Sequence, residues 1–306
     1  MPSFLSIGEC MVELAPASGD LYRRGFAGDT FNTAWYARRL LPAEWSVAYA
    51  SCIGTDAVSD EMTAFIAAQG IDTGALRRVA DRTVGLYMIS LDKGERSFSY
   101  WRGQSAAKTL AEDPDWLAGV LAGRDVIQFS GITLAILPPE GRATLCAALD
   151  AARRSGAHVA FDTNLRPRLW ESQDAMRAGL RMGASVADTV LPSFDEEIAL
   201  FGDASAEDTI ARYRDAGASR VAVKDGGGAL TVWDKDIGPA VYQPPKVAEV
   251  VDSTAAGDSF GAAFLCGLAL GQGLDTAVCG AMALAAKVIR HRGALVPQIF
   301  ETEDDR

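Results

Sequence analysis

The sequence predicts an α/β fold: a mostly parallel central sheet flanked by helices, with a small β-sheet lid attached. Three observations lead there. Short β-rich runs alternate with Ala-rich helical stretches over most of the 306 residues, the pattern of a parallel sheet covered by helices. A hairpin-like stretch interrupts that alternation near residues 83–101. No low-complexity linker and no fixed-period repeat divides the chain. Residues 1–306 are therefore expected to form one domain, with the lid built mainly from about 9–25 and 83–103.

Strand-like runs fall at 4–8, 47–53, 126–130, 158–161, 189–191, 221–224 and 230–233, and helical patterns at 31–41, 59–69, 139–155, 172–183 and 206–216. Residues 83–91 and 95–101 read as two strands joined by the turn Asp92-Lys93-Gly94. The strand-like run 11–15 is expected to pair with them; the alternative is an ordinary hairpin on the main sheet's edge. Residues 247–251 read as a short apolar strand before Asp252-Ser253-Thr254-Ala255-Ala256-Gly257-Asp258-Ser259-Phe260. Phe260, Phe264 and Leu268 then recur at i, i+4 and i+8 on a helix ending near Gly271. A last helix, about 275–290, is expected to close at Gly293.

Composition removes several classes of function. With 29 Lys and Arg against 40 Asp and Glu, the formal charge is −11, which disfavours nonspecific binding to nucleic acid or an anionic membrane. The five cysteines (10, 52, 146, 266 and 279) form no CxxC, and only His158 and His291 accompany them. A zinc site has little to draw on, and reduced thiols in a cytoplasmic protein are expected. No leader peptide and no membrane-length apolar run is expected. There is no GxxxxGK[ST] and no GxGxxG after the first strand. Ser105-Ala-Ala-Lys108 fits S-x-x-K without a following K-T-G.

The sharpest chemistry lies at 252–260. A turn of small residues entering a helix exposes backbone N–H groups at the positive end of the helix dipole, an anion site. Ala255, Ala256 and Gly257 carry nothing bulky enough to block a phosphate. Asp258 comes next, in the first turn, where a carboxylate can take a proton from an attacking hydroxyl. The alternative is that Asp258 only caps the helix.

The stretch 252–260 resembles the D-T-x-G-A-G-D signature of the PfkB (ribokinase-like) carbohydrate kinases, with Ala255 in place of the first glycine. The resemblance implies a ribokinase-like fold, ATP as phosphoryl donor, Asp258 as catalytic base, and residues 255–258 as the anion hole. It runs from Ile7-Gly8-Glu9-Cys10-Met11 to Arg292-Gly293-Ala294 and within the family is strongest to bacterial 2-keto-3-deoxygluconate kinases. These phosphorylate the terminal hydroxyl of a sugar acid.

The same resemblance implies roles for other residues. Gly28, Asp29 and Asn32 match the sugar-binding motif, in which the glycine lets substrate approach the backbone; helix capping by Asp29 and Asn32 is the alternative. Tyr100 and Arg102 match a Tyr-x-Arg at the sugar-acid carboxylate, where a guanidinium can make two parallel hydrogen bonds, and Tyr87 adds a phenol. A solvated charge is the plain alternative for Arg102. Asn164 and Arg166 match a stretch bridging substrate and ATP phosphates, whereas Arg168 reads as surface charge. Glu196 keeps the acid of an N-x-x-E motif linked to Mg²⁺, but Ser193 replaces its Asn. Mg²⁺ is therefore expected on phosphates and water, with Glu196 at most an indirect ligand. Asp195 and Glu197 read as solvated. Lys224, Gly226 and Gly227 border the nucleotide, or form a simple turn. A monovalent cation site is left open, and lid strands suggest a homo-oligomer. The rival readings are another sugar kinase of the family, such as a fructokinase, and a silent sugar sensor on the same fold.

Overall fold

The structure, a computed structural model, describes residues 1–92 and 95–301. Its strands are β1 (Ser3–Ile7), β2 (Met11–Pro16), β3 (Tyr22–Ala27), β4 (Ser46–Ile53), β5 (Leu76–Arg78), β6 (Leu86–Asp92), β7 (Glu95–Trp101), β8 (Val126–Ser130), β9 (His158–Asp162), β10 (Thr189–Leu191), β11 (Arg220–Val223), β12 (Leu230–Asp234) and β13 (Gly238–Tyr242). Its helices are α1 (Asp29–Leu40), α2 (Ala57–Ala68), α3 (Pro114–Leu121), α4 (Gly131–Ala135), α5 (Pro139–Arg154), α6 (Gln173–Ser185), α7 (Phe194–Phe201), α8 (Ala206–Asp215), α9 (Ala256–Ala269) and α10 (Leu274–Val288).

A nine-stranded sheet runs β13-β12-β11-β10-β9-β8-β1-β4-β5. Every neighbouring pair from β11 to β5 is parallel, and β12 and β13 are antiparallel additions at one end. Central strands are buried on both faces, so alternate side chains feed two cores. Leu5, Ile7, Ile127 and Phe129 pack with Leu145, Leu149, Leu180 and Tyr213 from α5, α6 and α8. Phe4, Val47, Tyr49 and Val126 pack on the opposite face with Phe31, Trp35, Ile66, Leu265 and Val288 from α1, α2, α9 and α10.

A separate four-stranded sheet, β3-β2-β6-β7, carries the hairpin. The run at 11–15 pairs with it as expected, parallel to β6 with Glu13 opposite Tyr87, and β6 pairs antiparallel with β7 with Tyr87 opposite Tyr100. In the expected hairpin turn, Lys93 and Gly94 lie outside the described residues.

Two expectations are corrected. Residues 247–251 form no strand; Val250 and Val251 are exposed. The β12–β13 hairpin already occupies that end of the sheet, and the run is instead tied to α10, with the Val251 and Asp252 amides donating to the Ile289 carbonyl at 2.8 and 3.1 Å. Gly293 does not close α10, which ends at Val288; its N–H donates to Asp252 Oδ2 at 2.7 Å, tying the chain's end to the turn before α9.

Five of the ten helices among the described residues start on a capping side chain: Asp56 for α2, Asp113 for α3, Ser130 for α4, Ser172 for α6 and Ser205 for α8. The starts of α1, α5, α7, α9 and α10 have no side-chain cap. Of these, α1, α7 and α9 are joined by hydrogen bonds directly or through the loop after β9, beyond a carboxyl end of the parallel sheet, where such sheets collect ligands.

Candidate active site

The turn into α9 is built on an unusual backbone. Ala255 sits in the left-handed region (φ 59°, ψ 16°), which costs an L-residue about 1–2 kcal/mol. Among the described residues the only other non-glycine there is Asn164 (φ 31°). Strain of this kind persists where surrounding structure imposes it, often at a functional site. Ala255 packs against the cluster of Met11, Ala27, Tyr87, Ile89 and Ala294, most of which belongs to the small sheet. The Ala256 amide donates to the Ser253 carbonyl at 3.2 Å. Gly257 and Asp258 lie in the first helical turn, where a helix supplies their N–H groups with no acceptor.

Asp258 is not the cap of α9; that position is Ala255. Its Oδ2 accepts a 2.7 Å hydrogen bond from Asn32 Nδ2 on the adjacent helix α1. The side chain is half-buried, yet the atoms packed around the carboxyl desolvate it. Burial first and the neighbouring Asp29 second push its pKa up to about 7; the Asn32 hydrogen bond opposes this, as does Lys224, while Asp162 adds to the rise. A carboxyl so placed can exchange a proton near neutrality.

Asp29, also raised by burial, accepts from Asn164 Nδ2 at 2.9 Å. This links α1 to the loop after β9. That loop is held from both sides. Asp162, at its start, grips Lys224 with both oxygens (2.9 and 3.1 Å). Glu196, in the first turn of α7, accepts from the Leu165 amide and Arg166 Nη1, each at 3.0 Å. A Cβ built on Gly257 would stand 3.5 Å from Lys224 Nζ, so this ammonium lies beside the α9 turn. Gly226 takes a left-handed φ of 51°, and neither it nor Gly227 has an atom within 4 Å of an added Cβ, which leaves the loop after β11 open. Arg168 is exposed, as expected.

The small sheet groups the remaining residues. Tyr87 and Tyr100 face one another across β6 and β7 with ring centroids 6.0 Å apart, and the Arg102 guanidinium lies 5.9 Å from the Tyr100 ring. Tyr87 donates its hydroxyl to Glu13, and Arg102 is ion-paired with Glu9. Arg102 is therefore neither free nor solvated: its side chain is 11% exposed. Gly28 has a structural reason that its motif does not disclose. A Cβ there would stand 2.1 Å from the Glu9 carbonyl oxygen, so the glycine is required by its own backbone neighbour. Neither Asp29 nor Asn32 caps α1; Gly28 occupies the cap position.

Glu9, Glu13 and Asp162 hold site residues, and sequence pattern alone does not single them out, although Glu9 and Asp162 lie at or just beyond carboxyl ends of parallel strands. Glu197 is corrected from a solvated charge to a fully buried one. Tyr213 donates to it at 2.9 Å and Arg212 at 3.0 Å, and burial pushes its pKa up to about 7. Asp195 is exposed, as expected. Ser105 caps the short turn Ala106–Thr109, accepting from the Ala107 amide at 3.3 Å, a structural role.

The donor set suits a nucleotide's phosphates: the first-turn amides of α9, Lys224, Arg166 and an open glycine loop. It does not suit a protein-caged metal. Among the described residues no three His, Cys, Asp or Glu group as ligands, and Asp162 and Glu196 are already engaged with cations. That fits Mg²⁺ carried by phosphates and water. No helix among the described residues is long and apolar enough to cross a membrane.

Comparison with known proteins gives the family and the fold. The chain matches the pfkB family carbohydrate kinases over residues 1–299. It is 39% identical to a 2-dehydro-3-deoxygluconokinase of Escherichia coli K12 over 95% of this chain and 96% of that one. It is 37% identical to the protein of that name from Haemophilus influenzae, over 98% and 97%. A PfkB protein crystal structure from Polaromonas sp. JS666 superposes with a TM-score of 0.81 at 27% identity, covering 95% and 96% of the two chains. ATP and Mg²⁺ are expected partners of such kinases. By sequence and fold together, the chain belongs to the pfkB family of carbohydrate kinases.

Proposed function

We propose that this protein transfers the terminal phosphoryl group of ATP to the 6-hydroxyl of 2-dehydro-3-deoxy-D-gluconate, with Asp258 as general base. The observation that carries the chemistry is the Asp258 carboxyl, poised near neutrality at the first turn of α9. The substrate assignment is supported by the extended relatives of that name and by Arg102 grouped with Tyr87 and Tyr100.

In this reading Asn32 fixes Asp258 through Oδ2, leaving Oδ1 to accept the proton of the attacking hydroxyl. Asp29, Asn32 and the Gly28 backbone hold the sugar end. Arg102, Tyr100 and Tyr87 hold the acid end. ATP supplies the phosphoryl group, and Mg²⁺ offsets its charge. The Gly257 and Asp258 amides, Lys224 and Arg166 stabilise the negative charge on the group in transfer. The small sheet acts as a lid that excludes water, a competing acceptor.

A neutral-sugar kinase is the second reading, favoured by the Glu9 ion pair that neutralises Arg102. ADP release measured over a panel of sugar acids and neutral sugars separates the two. Turnover fastest on the 2-keto-3-deoxy acid supports the proposal, and preference for fructose or another neutral sugar overturns the substrate. No ADP release with any sugar in the panel would overturn the kinase reading itself.

A further inference from the structure

Glu9 stands where the chain crosses between the two sheets. It lies between β1 and β2, while Gly28, Gly85 and Arg102 lie at the three other crossings. Each of those residues meets Glu9. A Cβ on Gly28 would press on the Glu9 carbonyl oxygen, a Cβ on Gly85 would stand 2.8 Å from Glu9 Oε1, and Arg102 Nη2 is paired with Glu9 Oε2. Glu9 itself is 2% exposed. The pair is joined on one arm only: Glu9 Oε1 and Arg102 Nε are both buried without a hydrogen-bond partner among the described residues. A closed carboxylate–guanidinium fork uses two donors and two acceptors; here one of each is spare.

We propose that Glu9 is a resident carboxylate that occupies Arg102 before substrate arrives, so that the substrate's carboxylate must compete for the guanidinium, making Glu9 a specificity-determining residue. This rests on the sugar-acid reading of Arg102. A buried guanidinium without a counter-charge is costly, and Glu9 removes that cost in the free protein. The same charge repels an incoming carboxylate, so a carboxyl group alone gains little at this site. Only a ligand that also makes the hydroxyl contacts around Asp29, Asn32 and Asp258 binds well. Glu9 thus disfavours simple carboxylates, a device acting against wrong partners.

The test is steady-state kinetics on the wild type, Glu9→Gln, Arg102→Ala and the double variant, with acetate as the simple-carboxylate probe. Glu9→Gln should lower KM for the sugar acid by roughly tenfold and leave KM for ATP unchanged. It should also make acetate a competitive inhibitor, which it should not be for the wild type. In the double variant both effects should vanish, because they act through Arg102. An unchanged or raised sugar-acid KM in Glu9→Gln, with Arg102→Ala impaired on the acid, overturns the role of Glu9 alone. A purely structural role would give that result together with a loss of kcat. If Arg102→Ala leaves sugar-acid KM unchanged, the sugar-acid reading itself fails. Should Glu9→Gln not fold, Glu9→Asp withdraws the competing carboxylate by one methylene. It should lower that KM by about threefold, and no fall overturns the proposal.

Discussion

Replacing Asp258 with Asn should stabilise the protein at pH 8 while leaving its stability at pH 4 nearly unchanged. Burial and Asp29 raise the native carboxyl from 3.8 to about 7. Between those limits the folded chain holds a proton that the unfolded chain releases. Stability contributed by the neutral carboxyl is therefore full below about pH 4 and lost as pH rises through about 7. At about 1.4 kcal/mol per pH unit, the interval corresponds to about 4 kcal/mol. The side chain is half-buried, so screening by solvent reduces this to about 2 kcal/mol. The Asn variant is isosteric, keeps an acceptor for Asn32 and carries no charge to desolvate. Denaturant melts of both proteins at pH 4, 6 and 8 measure the difference. A stability gain that does not grow with pH, or a variant less stable than wild type at pH 8, would refute the claim that this carboxylate is held at an energetic cost.

Further substitutions probe the rest of the site. Gly28→Ala drives a Cβ toward the Glu9 carbonyl oxygen, a backbone atom that cannot rotate away; stability should fall by about 1–3 kcal/mol, read as a lowered Tm with reduced turnover. Lys224→Met removes the cation that Asp162 positions beside the α9 turn. KM for ATP should rise roughly tenfold, a loss of about 1.4 kcal/mol. Because Lys224 lowers the Asp258 pKa, the acid limb of the kcat/KM profile should also move to higher pH.

Much of this architecture is legible in the chain because the central strands are buried on both faces. Runs such as 126–130 and 158–161 then read as apolar segments between helical patterns. The same cue misleads at 247–251, where an apolar run finds the sheet end already taken by the β12–β13 hairpin. Strand β3 gives no such cue, because its sequence YRRGFA is polar over its exposed half.

At the site, local chemistry places Asp258 beside an anion-binding turn, and the family resemblance rather than the turn itself favours a base over a helix cap. The strain at Ala255 is a backbone property that residue identity does not disclose, and its methyl packs on residues that only the fold supplies. The acids that position other groups are hidden for a related reason. Glu9 meets Arg102 across 93 positions and Asp162 meets Lys224 across 62, so an acid's partner is set by topology rather than spacing. Glu197 shows the same effect: its neighbours Asp195 and Glu196 suggest a charged, solvated turn, but its side chain points into a pocket closed by Tyr213 and Arg212.

The most direct measurement of the central claim is the turnover number of Asp258→Asn with ATP and the sugar acid, on protein shown by its melt to be folded. Loss of the general base predicts kcat lower by roughly 10²–10⁴. Turnover within a few-fold of wild type would mean that the proton of the attacking hydroxyl leaves by another route.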